Sequence, residues 1–493
     1  MNKNFLLSVF RSGSGVLISR IFGLIRDISI AAVFGATKLT DTFFIAFAIP
    51  NLFRAFFAEG ALSSAFVPIL NDKFAISKPS AKKYLSDLIF VVSAIVVLII
   101  VLFIIFSDYV ILIFMPGYYN LPDIISQGSS ILKIVMPYLL FVTVCGLLSG
   151  YLYIHDSYFV PYSSTALLNI FMIFGAVSGW YYGKNIYYLA YGVFLGGMTQ
   201  LIYIICFSLK KGFRFKKPVK LDKDVIKTFY LILPSIAGVS INQLNFTVGR
   251  VLASFLSQGS ISYLYYANRI LQLPLGIFSV TIGTVSLTEL SKNSINNDLS
   301  ARKDLIDNAV LSLFLFIVPA TFGLYFLSEE IIKIIYYRNI FNLESMISTA
   351  IALKMYSIGL IFFSLITVLT KIFHAEKDIA TPVKIGFICL IINIILNIIL
   401  MQFFSHAGIA LASSISSLVN AFLLYINLKS YSFRIKKHLS YLVKILIASI
   451  VMLIVLLYLK YSSIHVIINI IICILVYFGS LYLMKINLKR KLF

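Results

Sequence analysis

The chain has 493 residues, of which 60% are hydrophobic and only 12% charged. Soluble globular proteins carry about 25% charged residues, so this composition, with a mean hydropathy of +0.97, makes lipid the solvent of the fold. The net charge of +22 invites a nucleic-acid reading, but the basic residues lie in loops beside apolar runs, where they meet anionic headgroups instead.

Regular apolar runs separated by charged loops fit a helical bundle and not a barrel of alternating strands. At about 20 mainly apolar residues per crossing, fourteen spans are expected. They cover residues 14–36, 41–70, 84–107, 131–154, 160–181, 187–208, 228–255, 260–288, 308–327, 348–373, 383–403, 407–428, 440–459 and 464–484. The N-terminal stretch MNKNFLLSVFRSG has Arg11 inside its apolar run and no small-residue cleavage site after it, so the first span is expected to be retained. Residues 109–128 contain VILIFMPGYY, which Pro116-Gly117 interrupts; a membrane-surface loop is expected there.

The orientation follows from the positive-inside rule. With the N-terminus in the cytosol, inside segments carry 27 Lys and Arg and outside segments 5. Both termini are therefore expected on the cytosolic side. The longest basic loop, KKGFRFKKPVKLDKDVIK at 210–227, reads as a linker between halves. YIHDSYFVP (153–161) resembles FHAEKDIATP (373–382), Leu189-Ala190 maps to Leu411-Ala412, and Gly15-Val16 maps to Gly238-Val239. A near-constant offset at three places marks an internal repeat. The expected organisation is a six-helix lobe at 1–209, the linker at 210–227, a second six-helix lobe at 228–430, and a two-helix appendage with a basic tail at 431–493.

Enzymatic motifs are missing from the sequence. It has no G-x-x-x-x-G-K-[ST] loop and no serine or cysteine nucleophile motif, which argues against an enzyme or an ATP-hydrolysing pump. Cys145, Cys206, Cys389 and Cys473 all lie in apolar runs without metal spacing and read as small buried hydrophobes, and the five histidines are scattered singly, so no metal cluster is visible.

What remains is a set of charges at membrane depth. The stretch LISRIFGLIRDISIAAVFGA (17–36) holds Arg20, Arg26 and Asp27. Arg54, Arg250, Arg269 and Lys354 also fall inside apolar spans, while Lys133, Lys371 and Lys444 lie where they can snorkel. At 1.5 Å per residue, Arg20 and Arg26 lie about 9 and 18 Å from the inner end of the first span. Their six-residue spacing puts them about 120° apart on an ideal helix; a bend at Gly23 would bring them closer. Charges at this depth are expensive unless paired, water-lined or used. One reading is a ligand-free network in which Asp27, Asp41 and Glu59 pair with Arg26, Arg20 and Arg54. The other is a cationic site for an anionic substrate, since arginine is the preferred fork for phosphate and carboxylate oxygens.

SRIFGLIRD (19–27) and FGATKLTDTFFIAFAIPNLFRAFFAEGALSSAFVPIL (34–70), with GSISYLYYANRILQLPLGIF (259–278), HAEKDIATPVKI (374–385) and HAGIALASS (406–414), closely resemble the MurJ/MviN family. The resemblance runs over the whole chain. It implies a bacterial lipid II flippase of the multidrug/oligosaccharidyl-lipid/polysaccharide exporter superfamily, multi-pass in the cytoplasmic (inner) membrane. It further implies a V-shaped pair of lobes, a central cationic cavity and alternating access. The substrate would be the undecaprenyl-diphosphate-linked MurNAc-pentapeptide-GlcNAc precursor, with helices 13 and 14 bordering a groove for the polyprenyl tail. Ser19, Arg20, Arg26, Asp27, Asp41, Arg54 and Arg269 match cavity or function-critical positions of the family, and Glu59 joins Asp27 and Asp41 as a carboxylate able to hold the arginines.

Ala55, Asn268 and Gln272 depart from relatives that carry a second arginine or flanking acids, so a charge-switch role is not expected at those places. No cofactor is expected, and coupling to the membrane potential or to sodium stays open; Asn393 and Asn397, four apart on one helical face, are the residues that would border a sodium site. Expected partners are lipid II and membrane lipids, with no nucleic acid, and one chain is sufficient. The competing readings are a flippase for another polyprenyl-diphosphate-linked saccharide, a cation-coupled multidrug exporter and a non-transporting scaffold for cell-wall enzymes.

Overall fold

The computed structural model describes residues 3–59, 61–216, 221–293, 299–428, 434–460 and 466–485. These residues are helical, with short connections and no strand among them. They form two compact units. Unit 1 is built from the chain through Ser262 together with Arg338–Asn342, and unit 2 from Tyr263–Tyr337 and Leu343 onward.

Unit 1 begins with α1 (Lys3–Phe34) and α2 (Lys38–Arg54), which continues through a π turn at Ala55–Glu59 into α3 (Ala61–Ile76). Then come α4 (Lys78–Ile105), α5 (Ser107–Phe114), a 3₁₀ turn at Pro116–Tyr118, α6 (Pro122–Val135) and α7 (Tyr138–Ile154). It continues with α8 (Phe159–Tyr181), α9 (Tyr187–Lys210), α10 (Lys223–Ala253) and the start of α11 (Ser260–Pro274). Helix α8 is the centre of this unit's packing, lying against both α1 and α9. Its core is rich in large side chains; Phe43, Phe66, Tyr84, Tyr138 and Tyr151 are completely buried.

Unit 2 takes up the rest of α11, a π turn at Leu275–Ser279, α12 (Val280–Asn293), α13 (Leu299–Phe326), α14 (Ser328–Tyr336) and α15 (Leu343–Ile358). It closes with α16 (Leu360–Ala375), α17 (Ala380–Asn427), α18 (Ile435–Lys460) and α19 (Val466–Leu483). The last two pack on each other and on α13 through Leu315, Met452, Leu456 and Tyr477, and the Tyr477 hydroxyl donates to the Leu315 carbonyl at 2.6 Å.

Among the described residues, ten helical runs are long and apolar enough to cross a membrane, and α15 with α16, bent by 48°, makes an eleventh. Helix α17 leaves helical geometry at Ser405 (φ 52°); its 48 residues would extend about 72 Å, more than twice a bilayer's hydrocarbon thickness. Helices α1 and α10 are not among the ten. The first carries Arg20, Arg26 and Asp27 within eight residues, and the second carries Asn242, Gln243 and Asn245.

Residues 109–128 depart from the expected surface loop. They are helical on both sides of Pro116-Gly117, as α5 and the start of α6. The short α5 is held by packing on one face: Ile111 is fully buried, and the hydroxyls of Ser107 and Ser129 are 2.7 Å apart. Gly117 is required at the break, because a Cβ there would lie 2.1 Å from the Ser254 carbonyl oxygen. Span 4 accordingly starts earlier than expected, at Pro122.

The internal repeat is visible in the backbone. Helices α4 and α13 end at Ile105 and Phe326, α5 and α14 begin at Ser107 and Ser328, and α8 and α17 begin at Phe159 and Ala380, each pair 221 positions apart. Helices α7 and α16 end in the same turn: Ser157 N–H donates to the Leu152 carbonyl and Asp378 N–H to that of Phe373. The residue before each donor, Asp156 or Lys377, is left-handed, which is the Schellman way of closing a helix.

The described parts of the expected linker lie on unit 1. Ser86 Oγ accepts from the Lys216 amide at 2.9 Å and donates to its carbonyl at 2.8 Å. Asp87 accepts from the Asp222 amide, and Lys73 Nζ lies 2.8 Å from carboxylate oxygens of both Asp222 and Asp224. Burial pushes the Asp222 carboxyl up, but the Lys73 ammonium and the Asp224 amide outweigh it and hold it below the usual range.

Candidate functional site

In unit 1, α1 places Arg26 and Asp27 in the protein interior, 5% and 2% exposed. Arg26 Nε and Nη2 both donate to Asp27 Oδ1, at 2.9 and 2.6 Å. Its Nη1 donates to Asn169 Oδ1 on α8 at 2.8 Å. Asn169 Nδ2 in turn donates to the Ser19 carbonyl at 3.2 Å, and the Ser19 hydroxyl lies 2.6 Å from that of Thr165. Thr165 and Asn169 are four apart and so share one face of α8. Three expected site residues, Ser19, Arg26 and Asp27, are thereby joined through two residues that nothing in the sequence singled out. A neutral, locally unremarkable helix gave no signal for Thr165 or Asn169.

Arg20 is not part of this group. It is exposed on α1, which runs as one helix past Gly23, so the wide azimuth expected from six-residue spacing persists. Arg54 is half-buried at the last position of α2, where the π turn begins. Glu59 closes that turn; its side chain lies outside the described residues.

Asp41 takes a role that the pairing scheme did not foresee. It is fully buried in the first turn of α2, and its carboxylate faces the start of α11. Oδ2 accepts from Gly259 N–H at 2.7 Å and from the Tyr118 hydroxyl at 3.2 Å. Oδ1 accepts from the Ser262 amide at 2.8 Å and its hydroxyl at 2.5 Å. The first amides of a helix have no intrahelical acceptor and carry partial positive charge, and Asp41 satisfies them. Gly259 reaches it with φ +89°, a conformation that favours glycine.

In unit 2, Arg269 is exposed on α11. Its guanidinium lies over the Tyr265 ring, 5.3 Å from the centroid, and donates to the Tyr265 hydroxyl from Nε at 3.3 Å and Nη2 at 3.2 Å. Tyr265, one turn away, is a second contact that sequence reasoning missed. Asn393 and Asn397 are buried and bonded to each other, Asn397 Nδ2 donating to Asn393 Oδ1 at 2.8 Å. Asn397 Oδ1 is buried without a hydrogen-bond partner. One neutral oxygen is far from the six or more that hard cations take, and no group of three His, Cys, Asp or Glu side chains suited to a metal occurs among the described residues. The pair by itself supplies one side-chain oxygen not already used in a hydrogen bond.

Unit 2 has two further features. An apolar cavity of about 360 Å³ is lined by α13, α16, α17 and Leu442 of α18, with Phe314, Phe362 and Phe422 in its wall. Beside the start of α18, buried Asp307 accepts from Arg434 Nε at 2.7 Å and contacts His438 Nε2 at 3.0 Å, fastening α18 to α13.

Many apolar helices, with arginines and carboxylates held among them, define a multi-pass membrane protein of the transporter class. Residues 30–477 match the sequence model of the family described as "Lipid II flippase MurJ", and the chain belongs to that family. It is 34% identical over 467 residues to a probable lipid II flippase MurJ of Buchnera aphidicola subsp. Schizaphis graminum, covering 93% of this chain and 90% of that one. The corresponding protein of Rickettsia prowazekii is also 34% identical, with 97% and 98% covered. A solved structure titled "Lipid II flippase MurJ, inward closed conformation" is similar with a TM-score of 0.85 at 29% identity, covering 96% of this chain and 98% of that one. An inward-facing MATE family transporter reaches a TM-score of 0.65 at 12% identity, covering 89% and 99%, which shows the fold alone. The family is one of transporters and not of enzymes; its members serve peptidoglycan biosynthesis and lipid transport in the bacterial inner membrane.

Proposed function

We propose that this chain is a lipid II flippase, moving the undecaprenyl-diphosphate-linked peptidoglycan precursor from the cytosolic to the outer leaflet by alternating access. The observation that carries this reading is the family match over residues 30–477. The chemistry of the chain supports it. Lipid II presents a diphosphate and peptide carboxylates, and arginine forks bind such oxygens in pairs. The arginines that take the head group are Arg20, Arg26 and Arg54 of unit 1 and Arg269 of unit 2, with Ser19 in the hydrogen-bonded group around Arg26. Asp27 holds Arg26 when substrate is absent and yields to the substrate's anionic groups when it is present. Asp41 acts at a distance, fixing the start of the helix that carries Arg269. The apolar cavity against α18 suits a segment of the polyprenyl chain.

The topology that goes with this function has fourteen spans, two six-helix lobes (1–209 and 228–430) joined by the basic linker, the appendage at 431–493, and both termini in the cytosol. One chain suffices, and membrane lipids surround it. The coupling source is the membrane potential or sodium; each charge moved through 100 mV is worth about 2.3 kcal/mol.

The test is expression in bacterial cells depleted of their own lipid II flippase, followed by measurement of lipid II in the outer leaflet. Restored exposure is expected. A chain that inserts at normal abundance and leaves lipid II inside would contradict the reading.

A further inference from the structure

Asn169 stands out because it touches the buried ion pair without adding charge to it. It is 6% exposed and uses both ends of its amide. Oδ1 accepts from Arg26 Nη1 at 2.8 Å, and Nδ2 donates to the Ser19 carbonyl at 3.2 Å. Gly23 lies between these two points on α1, and a Cβ built there would be 3.6 Å from Asn169 Nδ2. The amide therefore lies against the glycine face and spans two turns of α1.

Asp27 grips the guanidinium from one side, through Nε and Nη2 to a single oxygen, Oδ1. Asn169 fixes Nη1 on the other side. With both sides held, the plane of the guanidinium is set relative to the α1 backbone at Ser19. A neutral acceptor does this without cancelling the charge of Arg26. A carboxylate at the same place would set two anions against one cation, and an incoming phosphate would then compete with both.

We infer that Asn169 is a positioning residue for transport: it sets the orientation in which Arg26 meets an anionic group of the lipid-linked substrate. This inference rests on the flippase reading and deepens it, because it explains how a buried arginine stays available to an anion while remaining ordered. Asn169 itself does not touch the substrate.

The experiment uses the full chain, purified and reconstituted, with lipid II as the probe. Binding constants, translocation rates and thermal unfolding midpoints are compared for wild type, Asn169→Asp and Asn169→Ala. Asn169→Asp keeps the size and the acceptor for Arg26 but loses the donor to the Ser19 carbonyl, and Asn169→Ala removes both bonds without adding charge. Positioning by a neutral group predicts lipid II binding weakened at least about ten-fold, the scale of one hydrogen bond to a charged group, and by more than any fall in unfolding midpoint accounts for. Asn169→Ala loses orientation and weakens binding to a similar degree. If that variant does not fold, Asn169→Asp carries the test alone. Binding by Asn169→Asp within about two-fold of wild type overturns the inference, as does a loss of binding that only accompanies a fall in unfolding midpoint. If wild type itself neither binds nor moves lipid II, the flippase reading fails; a functional wild type beside an unaffected Asn169→Asp refutes the positioning role alone.

Discussion

Replacing Asp41 by alanine removes the acceptor shared by four donors at the start of α11. Two of these, Gly259 N–H and Ser262 N–H, are backbone groups that a helix N-terminus cannot satisfy internally. The site is fully buried, so water does not replace the carboxylate without local opening. A buried donor left unpaired costs about 1–3 kcal/mol, and losing the anion from the helix N-terminus costs about 0.3–1 kcal/mol more. Asp41→Ala should therefore destabilise unit 1 by about 3 kcal/mol. Asp41→Asn keeps one acceptor oxygen but turns an NH₂ toward donors, and should cost about 2 kcal/mol. Denaturant unfolding in micelles reads the total, and hydrogen exchange at residues 259–262 reads the local part. A double-mutant cycle with Ser262→Ala should return a coupling of about 0.5–3 kcal/mol. An Asp41→Ala protein within about 0.5 kcal/mol of wild type, with unchanged exchange at those amides, would refute the capping argument.

Asp307→Asn should destabilise the attachment of α18 by about 2–3 kcal/mol, because Arg434 and His438 lose the buried charge and one of its two acceptor oxygens; faster proteolysis near residue 434 checks it. Lys73→Ala should cost only about 1 kcal/mol, since its partner Asp224 is substantially exposed, and exchanging the charges of Lys73 and Asp222 should recover part of the loss in unfolding assays. His155 gives a pH dependence. Burial, then Lys211, Lys82 and Lys78, push its pKa below the ordinary value near 6.5, against the pull of Asp156. The unfolded chain then binds the proton more readily, so this contribution is present above about pH 6.5 and is lost as pH falls below it. Wild type should lose unfolding temperature between pH 7.5 and 5.5, and His155→Gln should lose less; equal slopes would contradict this.

Much of the scaffold was legible because each crossing must bury its backbone in one continuous apolar helix. Spans 160–181 and 187–208 became α8 and α9, and the gap between spans 11 and 12 became the break at Ser405. The repeat was readable at three short matches, and the backbone extends it to the α5 and α14 pair. Residues 109–128 were not readable, because α5 is too short to show a helical period and owes its form to packing on α6. Charge gave the same mixture. Depth alone marked Arg26 and Asp27 as needing partners. Their neighbour Asn169 is 143 positions from Arg26 and neutral, so no pattern pointed to it. Asp41 was marked by its charge, but its partners Gly259 and Ser262 lie 218 and 221 positions away, and a helix cap supplied from another helix leaves no local signature.

The most direct test of the account is lipid II translocation in proteoliposomes containing equal amounts of wild type, Arg54→Ala and Arg269→Ala. Each variant removes one charged donor set, so each should slow translocation at least about ten-fold while wild type moves the lipid. Equal rates for all three proteins would contradict the claim that arginines held in apolar helices carry the anionic head group.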